Sequence, residues 1–180
     1  MFGILLLLGQ QIYQQAPPIP ALVKSVSGEI IYTRDDIETG QNVWQSIGGM
    51  EQGSIWGHGS YLAPDWSADW LHREALALLD INTLQSQSSL APDQEMAMQK
   101  ALLPALMRKN TYDVTTGAIT VSDNRAIAIK QVEDHYLRLY QGSDEESLAL
   151  RRDYAFSIHG LLDAQEAKQL AAFYFWTAWG

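Results

Sequence analysis

Apolar residues recur at helical spacing along much of the chain, which predicts a mainly helical domain. One helix begins at Asp65 or Ser67, either of which can cap it, and continues to Leu79. Its apolar stripe consists of Trp70, Leu71, Ala75, Leu78 and Leu79. We expect this stripe to face the core.

Capping residues or a proline mark the other helix starts. These starts are Asp35 or Asp36, Pro92, Ser122, Asp144 and Asp163. The inward residues expected on the first three are Ile37, Val43 and Trp44; Met96, Leu102, Leu103 and Leu106; and Ile129, Val132, Tyr136, Leu139 and Tyr140. Pro104 is expected to kink or divide its helix, because proline removes a backbone donor.

Two short segments predict β-hairpins, at residues 23–33 around Ser27-Gly28 and at residues 111–121 around Thr116-Gly117. Between them, residues 48–59 contain five glycines without the spacing of a phosphate-binding loop. Glycine at this density indicates an ordered loop whose backbone lies close to large neighbours. The predicted fold is therefore mainly α with small β-hairpins.

Both ends of the chain are apolar. Residues 1–8 read MFGILLLL, and no charge follows Lys168 in the aromatic stretch LAAFYFWTAWG. Each run is far shorter than the roughly 20 residues that span a bilayer. One interpretation is a pair of truncated transmembrane helices, with 1–15 ending the first, 16–162 forming an extracytoplasmic domain and 163–180 starting the second. The other is an N-terminal helix that is cleaved or buried and a C-terminal helix that docks on its own core.

Composition narrows the possible functions. The 180 residues contain no cysteine, which excludes a disulfide scaffold, cysteine-ligated metals, a thiol nucleophile and a CxxCH haem attachment. The formal net charge of −9 makes nucleic acid a poor partner. Few Lys or Arg residues lie near either end, which favours the non-cytoplasmic side of a membrane.

Local spacing does not indicate a metal or catalytic site. The histidines are His58, His72, His135 and His159, and none forms a metal-binding pair by spacing. His72 is either a zinc or haem ligand or a helix-face side chain bonded to Asp65 or Asp69. Asp65, Asp69 and Glu74 are either acid–base carboxylates or a helix cap with first-turn acids, in which Asp69 pairs with Arg73.

Trp44, Trp56, Trp66 and Trp70 lie within 27 positions of one another, among glycines. Large aromatic rings beside small residues form either a tryptophan-rich core or a platform for a partner. The residues alone leave both possibilities open.

Three strings in this region are highly specific: VWQSIGG at 43–49, GSIWGHG at 53–59 and APDWSADWLHRE at 63–74. With YQQAPPIP at 13–20, NTYD at 110–113 and AAFYFWTAW at 171–179, the chain resembles the N-terminal part of the quinol-dependent nitric oxide reductases. These belong to the haem-copper oxidase superfamily. The resemblance covers almost the whole chain.

The resemblance implies a cytochrome c-like extracytoplasmic domain that lacks haem c, on the periplasmic side of the bacterial cytoplasmic membrane. The full enzyme would reduce two nitric oxide molecules to nitrous oxide and water in denitrification, with b-type haems and non-haem iron. This chain lacks the catalytic residues and would bind no cofactor. It would form a structural cap over the haem end of the catalytic transmembrane bundle of the same polypeptide.

The resemblance also implies which residues face that bundle. The string GHGSYLAP at 57–64 is similar to a GxGAYxAP string of the related cytochrome subunit, in which the second glycine and the tyrosine lie near a calcium ion that bridges haem propionates. The implied haem-proximal residues are Trp56, Gly57, His58, Gly59 and Tyr61. Gly59 and Tyr61 are the calcium-site candidates.

Two other functions fit fewer of these observations. A membrane-tethered periplasmic binding or interaction module without catalysis requires only the tryptophan cluster. A stand-alone haem protein would require His72 as its ligand.

Overall fold

The computed structural model describes Ile4 and residues 16–86, 88–156 and 162–180. The helices of these ranges are α1 (Arg34–Ser46), α2 (Gly49–Gln52), α3 (Trp66–Gln85), α4 (Pro92–Met107), α5 (Asp123–Gln141), α6 (Glu145–Asp153) and α7 (Ala164–Trp179). The strands are β1 (Leu22–Ser25), β2 (Ile30–Thr33), β3 (Ser54–Ile55), β4 (His58–Gly59), β5 (Tyr112–Asp113) and β6 (Ala118–Val121). The mainly helical fold with small hairpins is confirmed. Apart from Ile4, the predictions for residues 1–15 and the prediction for His159 lie outside the described residues.

A four-stranded sheet joins the two predicted hairpins in the order β2-β1-β6-β5. Each hairpin is antiparallel, as its turn predicts, and Gly28 and Gly117 adopt positive φ at those turns. The hairpins meet through parallel pairing of β1 and β6, from Leu22 opposite Ala118 to Ser25 opposite Val121. The sheet therefore ties the beginning of the domain to its middle.

The core forms where α1, α3, α5 and α7 meet. The most extensive helix–helix contact joins α1 to α7. Gly40 permits this approach, since a Cβ atom there would lie 1.9 Å from the backbone oxygen of Gln169. Close by, the rings of Trp44 and Phe173 pack at 5.6 Å.

The aromatic residues of α7 lie inside the domain. Phe173, Tyr174 and Phe175 are 3%, 0% and 1% exposed. Tyr32 on β2 packs against Phe175 at 5.6 Å. This arrangement matches the interpretation in which an aromatic C-terminal helix docks on its own core. Across the described ranges, no helix combines the length and apolarity needed to cross a bilayer.

Most predicted helix starts are confirmed, with Asp65, Ser122, Asp144 and Asp163 as N-caps and Pro92 in the first turn of α4. The predicted N-cap of α1, Asp35 or Asp36, was wrong. Thr33 is its N-cap and accepts a hydrogen bond from the Asp36 amide at 3.2 Å, while the Asp36 carboxylate accepts one from the Thr33 amide at 2.9 Å. Asp36 thus completes a capping box from inside the helix.

Two predicted inward faces need correction. On α3, Leu71 is 40% exposed and Ala75 is half-buried, whereas Glu74 is buried. On α4, Leu102 and Leu106 are 49% and 46% exposed. The helix packs on α3 through its other side, where Leu103 and Met107 contact Leu78 and Ile81. Pro104 lies within α4 and does not end it.

Candidate functional site

The clustered tryptophans separate into two groups. Trp44, Trp66 and Trp70 are 7%, 1% and 0% exposed, whereas Trp56 is 47% exposed. The first three are core residues. Of the four, Trp56 alone presents much of its ring to a partner.

Stacked aromatic rings fill the interior next to the glycine-rich loop, where Trp66 lies against Gly53. Trp66 stacks on Tyr174 with ring centres 5.2 Å apart, and Trp70 stacks on Tyr136 at 5.5 Å. Tyr140 donates to or accepts from Tyr174 at 2.8 Å between the hydroxyl oxygens. Such rings contribute large buried area with defined geometry and form a stiff base for the loop above them.

The three carboxylates of this region have structural partners. Asp69 accepts hydrogen bonds from Arg73 Nε and from the Tyr136 hydroxyl, both at 2.8 Å, which confirms the predicted Asp69–Arg73 pair. Burial, followed by the Asp69 carboxylate, raises the pKa of Tyr136 well above its ordinary value. Tyr136 therefore remains a protonated donor.

Glu74 lies deeper, at 1% exposure. One of its oxygens accepts from Trp70 Nε1 at 2.9 Å and the other from Arg125 Nε at 2.5 Å. The pair Glu74–Arg125 joins α3 to α5 inside the domain. Because a buried charge must be paired, this contact fixes the two helices relative to each other.

Asp65 holds the β3–β4 hairpin. Its Oδ1 accepts the Ala68 amide at 3.1 Å as the cap of α3. Its Oδ2 accepts the Ser54 hydroxyl at 2.8 Å and the Gly57 amide at 2.5 Å. One side chain thus fixes both the start of α3 and the turn between β3 and β4.

The pKa of Asp65 reflects this role. Burial raises the pKa, but the hydrogen bonds from Gly57, Ser54 and Ala68 together outweigh burial and lower the pKa below its ordinary value. The carboxylate is therefore charged at neutral pH, which strengthens each of these hydrogen bonds.

Close backbone contacts make the segment of residues 53–62, here called the β3–β4 loop, rigid, as its glycine content predicts. A Cβ atom at Gly53 would lie 2.4 Å from Trp66 Nε1, and one at Gly59 would lie 2.3 Å from the Gly53 carbonyl oxygen. Gly59 also has a φ of +140°, which favours glycine. The Ser60 amide donates to the carbonyl oxygens of Met50 and Gly53.

The part of this loop that follows β4, here called its tip, projects into solvent. Tyr61 and Leu62 are 92% and 62% exposed, and His58 is also exposed. Trp56, at a φ of +53°, donates from Nε1 to the carbonyl oxygen of Thr177 at 2.6 Å. Its ring packs against Trp176 at 5.6 Å. The loop is therefore anchored to the end of α7 while its tip stays uncovered.

Four of the five predicted haem-proximal residues, Trp56 to Gly59, thus lie on the β3–β4 hairpin and Tyr61 follows it, and the five differ in exposure and role. Sequence reasoning missed the bond from Trp56 to Thr177, since 121 positions separate the two residues. It also missed the exposed Leu62 and the second role of Asp65. The overlapping strings GSIWGHG and GHGSYLAP, followed by Asp65, were the available signal, because together they contain the whole loop and its anchor.

The side chains do not fit a haem attached through thioether bonds, because the chain contains no cysteine. His72, a predicted alternative ligand, is exposed on α3, and Asp65 and Asp69 use the other contacts described above instead of bonding to it. His135 is half-buried beside Tyr136. Within the described residues, no three His, Asp or Glu side chains cluster as metal ligands do. The calcium contact of Gly59 and Tyr61 stays a prediction.

Comparison with known proteins identifies the family. The family model for the cytochrome c-like domain of NorB, a nitric oxide reductase protein, matches residues 20–180. No curated protein matches the chain. The match includes the β3–β4 loop, its anchor Asp65 and the helices that form the core. The chain therefore belongs to the family of NorB cytochrome c-like domains of nitric oxide reductases.

Proposed function

We propose that this chain is the extracytoplasmic domain of a quinol-dependent nitric oxide reductase. Such an enzyme reduces two nitric oxide molecules with two electrons and two protons to nitrous oxide and water, and quinol oxidation supplies the electrons. In this proposal the domain stands on the periplasmic side of the bacterial cytoplasmic membrane, and α7 leads toward the second transmembrane segment. The family match supports the reductase assignment.

The domain's role in this proposal is structural. The β3–β4 loop caps the haem end of the catalytic bundle and excludes water there. The observation that carries this role is a rigid loop with an uncovered tip, in which Tyr61 is 92% exposed while Gly53 and Gly59 are tightly packed. Rigid, exposed aromatic side chains are typical anchors of protein interfaces, because little conformational entropy is lost when they are buried.

The chemistry of electron transfer lies elsewhere in the proposed enzyme. A domain without cysteine cannot attach haem c, so b-type haems and non-haem iron of the catalytic bundle would carry the electrons. The residues of this chain would position and seal that bundle.

The substitution Tyr61→Ala in the full enzyme tests the cap. Loss of an aromatic interface anchor is expected to weaken docking by roughly tenfold or more, so less haem is retained per polypeptide while the KM for quinol stays unchanged. Tyr61 suits this test better than Trp56, because the Trp56 ring also holds α7.

Val114→Ala is the matched control, since Val114 is 84% exposed in the turn after β5. This variant should keep its haem. If Tyr61→Ala assembles normally but loses quinol binding, the loop belongs to the quinol site and the cap is wrong. If both variants keep full haem content and activity, Tyr61 does not anchor a cap and the proposed cap role of the loop is wrong.

A further inference from the structure

Helix α4 is apolar on two sides. Its inner side packs on α3 through Leu103 and Met107. Its outer side exposes Met98, Leu102 and Leu106 at 38%, 49% and 46%. These three residues are four positions apart, so they form one stripe along the helix. A contiguous exposed apolar patch marks an interaction surface, which indicates that something covers this stripe.

The charge around the stripe indicates the kind of partner. No acidic residue occurs from position 96 to position 112, whereas Lys100, Arg108 and Lys109 lie in that interval. The segment is locally cationic in a chain with a net charge of −9. The ion pairs found among the described residues use other basic side chains: Arg34, Arg73, Arg125, Lys130 and Arg152.

The C-terminal end of α4 lies beside the end of α7. A shallow groove there is lined by Pro104, Arg108 and Lys109 from the α4 side and by Trp179 from α7. The exposed Leu71 lines the same groove. Two of the three cations and an apolar rim therefore meet at the place where, under the proposed function, the chain approaches the membrane.

We propose that α4 rests on the anionic surface of a lipid bilayer. The stripe Met98–Leu102–Leu106 would enter the boundary between headgroups and acyl chains, and Arg108 and Lys109 at the end of the helix would contact lipid phosphates. Apolar burial and attraction to anionic lipids together determine the strength of such interfacial binding. That a membrane lies near the end of α7 rests on the proposed function. The apolar stripe and the local positive charge do not depend on it.

The absence of cysteine from the sequence permits a site-specific test. Leu102→Cys and Leu76→Cys, each labelled with an environment-sensitive fluorophore, place one probe on the stripe and one on the outer side of α3. Leu76 is the matched control, because its 50% exposure equals that of Leu102 within one percentage point. With vesicles of phosphatidylcholine and phosphatidylglycerol, we expect the label at 102 to shift to shorter wavelength and the label at 76 to stay unchanged.

Removal of positive charge tests the proposed attraction between α4 and anionic lipids. The double variant Arg108→Gln with Lys109→Gln should weaken partitioning into these vesicles about thirtyfold, since each cation near an anionic surface contributes about fivefold. Arg34→Gln with Lys130→Gln removes the same charge from exposed sites elsewhere and should have a small effect. Vesicles of phosphatidylcholine alone should bind much more weakly.

Three results would overturn the proposal. The first is that the label at 102 gives no response to anionic vesicles. The second is that both labels respond equally. The third is that the emission of the label at 102 shifts without vesicles as the protein concentration rises. The last result would mean that a second copy covers the stripe. This experiment uses the chain alone, whereas the Tyr61→Ala experiment measures haem retention in the full enzyme, so failure of one can be told from failure of the other.

Discussion

At the scale of single residues, glycine determines how closely the tryptophans approach the backbone. A Cβ atom at Gly49 would lie 2.1 Å from Trp44 Nε1, and one at Gly53 would lie 2.4 Å from Trp66 Nε1. Both distances are well below van der Waals contact. The two indole rings therefore occupy space that only glycine leaves open.

Gly53→Ala separates this crowding from backbone strain. Gly53 has an extended backbone with a φ of −151°, so the expected loss of about 1–3 kcal/mol in the free energy of unfolding comes from overpacking against Trp66. Gly57→Ala is the control, because its φ of +76° is strained for alanine but its Cβ would meet nothing within 4 Å. Urea unfolding measures both variants. An unchanged free energy of unfolding in Gly53→Ala would contradict the close packing.

The buried pair Glu74–Arg125 is the second feature at this scale. Glu74→Ala would leave the guanidinium of Arg125 buried without its carboxylate, and we expect a loss of about 3–5 kcal/mol in the free energy of unfolding. The exposed pair Arg34–Glu38, at 3.6 Å, provides the comparison. Glu38→Ala should cost less than about 1 kcal/mol. If Glu74→Ala and Glu38→Ala lose the same free energy of unfolding, measured with heat or urea, the buried ion pair contributes no more to stability than the exposed one.

At the scale of elements, Asp65 links a helix to a hairpin. The same carboxylate caps α3 and accepts the Gly57 amide. Asp65→Ser keeps an N-cap oxygen but is too short to reach both partners. We expect the variant to retain most of the stability, while hydrogen exchange at the Gly57 amide becomes faster.

Asp65→Ala is the companion variant and should also lose about 1 kcal/mol, because the cap itself is removed. Asp144→Ala, at the ordinary N-cap of α6, should cost a similar amount without any change at Gly57. Unchanged exchange at Gly57 in Asp65→Ser would show that other contacts hold the hairpin.

Elements with local signals could be predicted from the sequence. The hairpin turns at Gly28 and Gly117 and the caps at Ser122 and Asp163 depend on residues within a few positions of one another. The parallel pairing of β1 with β6 joins residues almost a hundred positions apart, and no local pattern encodes it. The face of α4 was mispredicted because both of its sides are apolar and periodicity alone does not choose between them.

The candidate site shows the same division. The glycines of residues 48–59 predicted an ordered loop close to large neighbours, and close packing at Gly53 and Gly59 confirms it. The sequence could not predict which tryptophan would be exposed, because the exposure of each ring depends on how α7 packs against it. Trp56 remains partly outside the core since its partners Trp176 and Thr177 lie at the far end of the chain.

At the scale of the whole molecule, His135 makes stability depend on pH. Burial, followed by the charge of Arg73, lowers the pKa of His135 to about 4, against 6.5 for the free side chain. The unfolded chain therefore binds more protons than the folded chain between these two values. Stability contributed by the neutral imidazole is present above about pH 6.5 and is lost as the pH falls toward about 4.

His135→Gln removes this titration without introducing a charge. We expect the variant to lose less free energy of unfolding than the parent between these two pH values, measured by urea unfolding at each pH. Other acids, including Asp65, titrate in both proteins, so the difference between the two slopes isolates His135. Parallel pH profiles would place the folded pKa of His135 close to that of the unfolded chain.

The contact between α1 and α7 has a kinetic consequence. Because α7 supplies Leu170, Phe173 and Phe175 to the core, the interior stays open to water until α7 has been synthesised and has docked against Gly40. Closure between distant parts of a chain is slow, since the entropy of a long loop is lost before the contacts form. Folding of this domain is therefore expected to be a late event in its synthesis. Until that event, the tryptophan-rich surface of α3 lacks its covering helix.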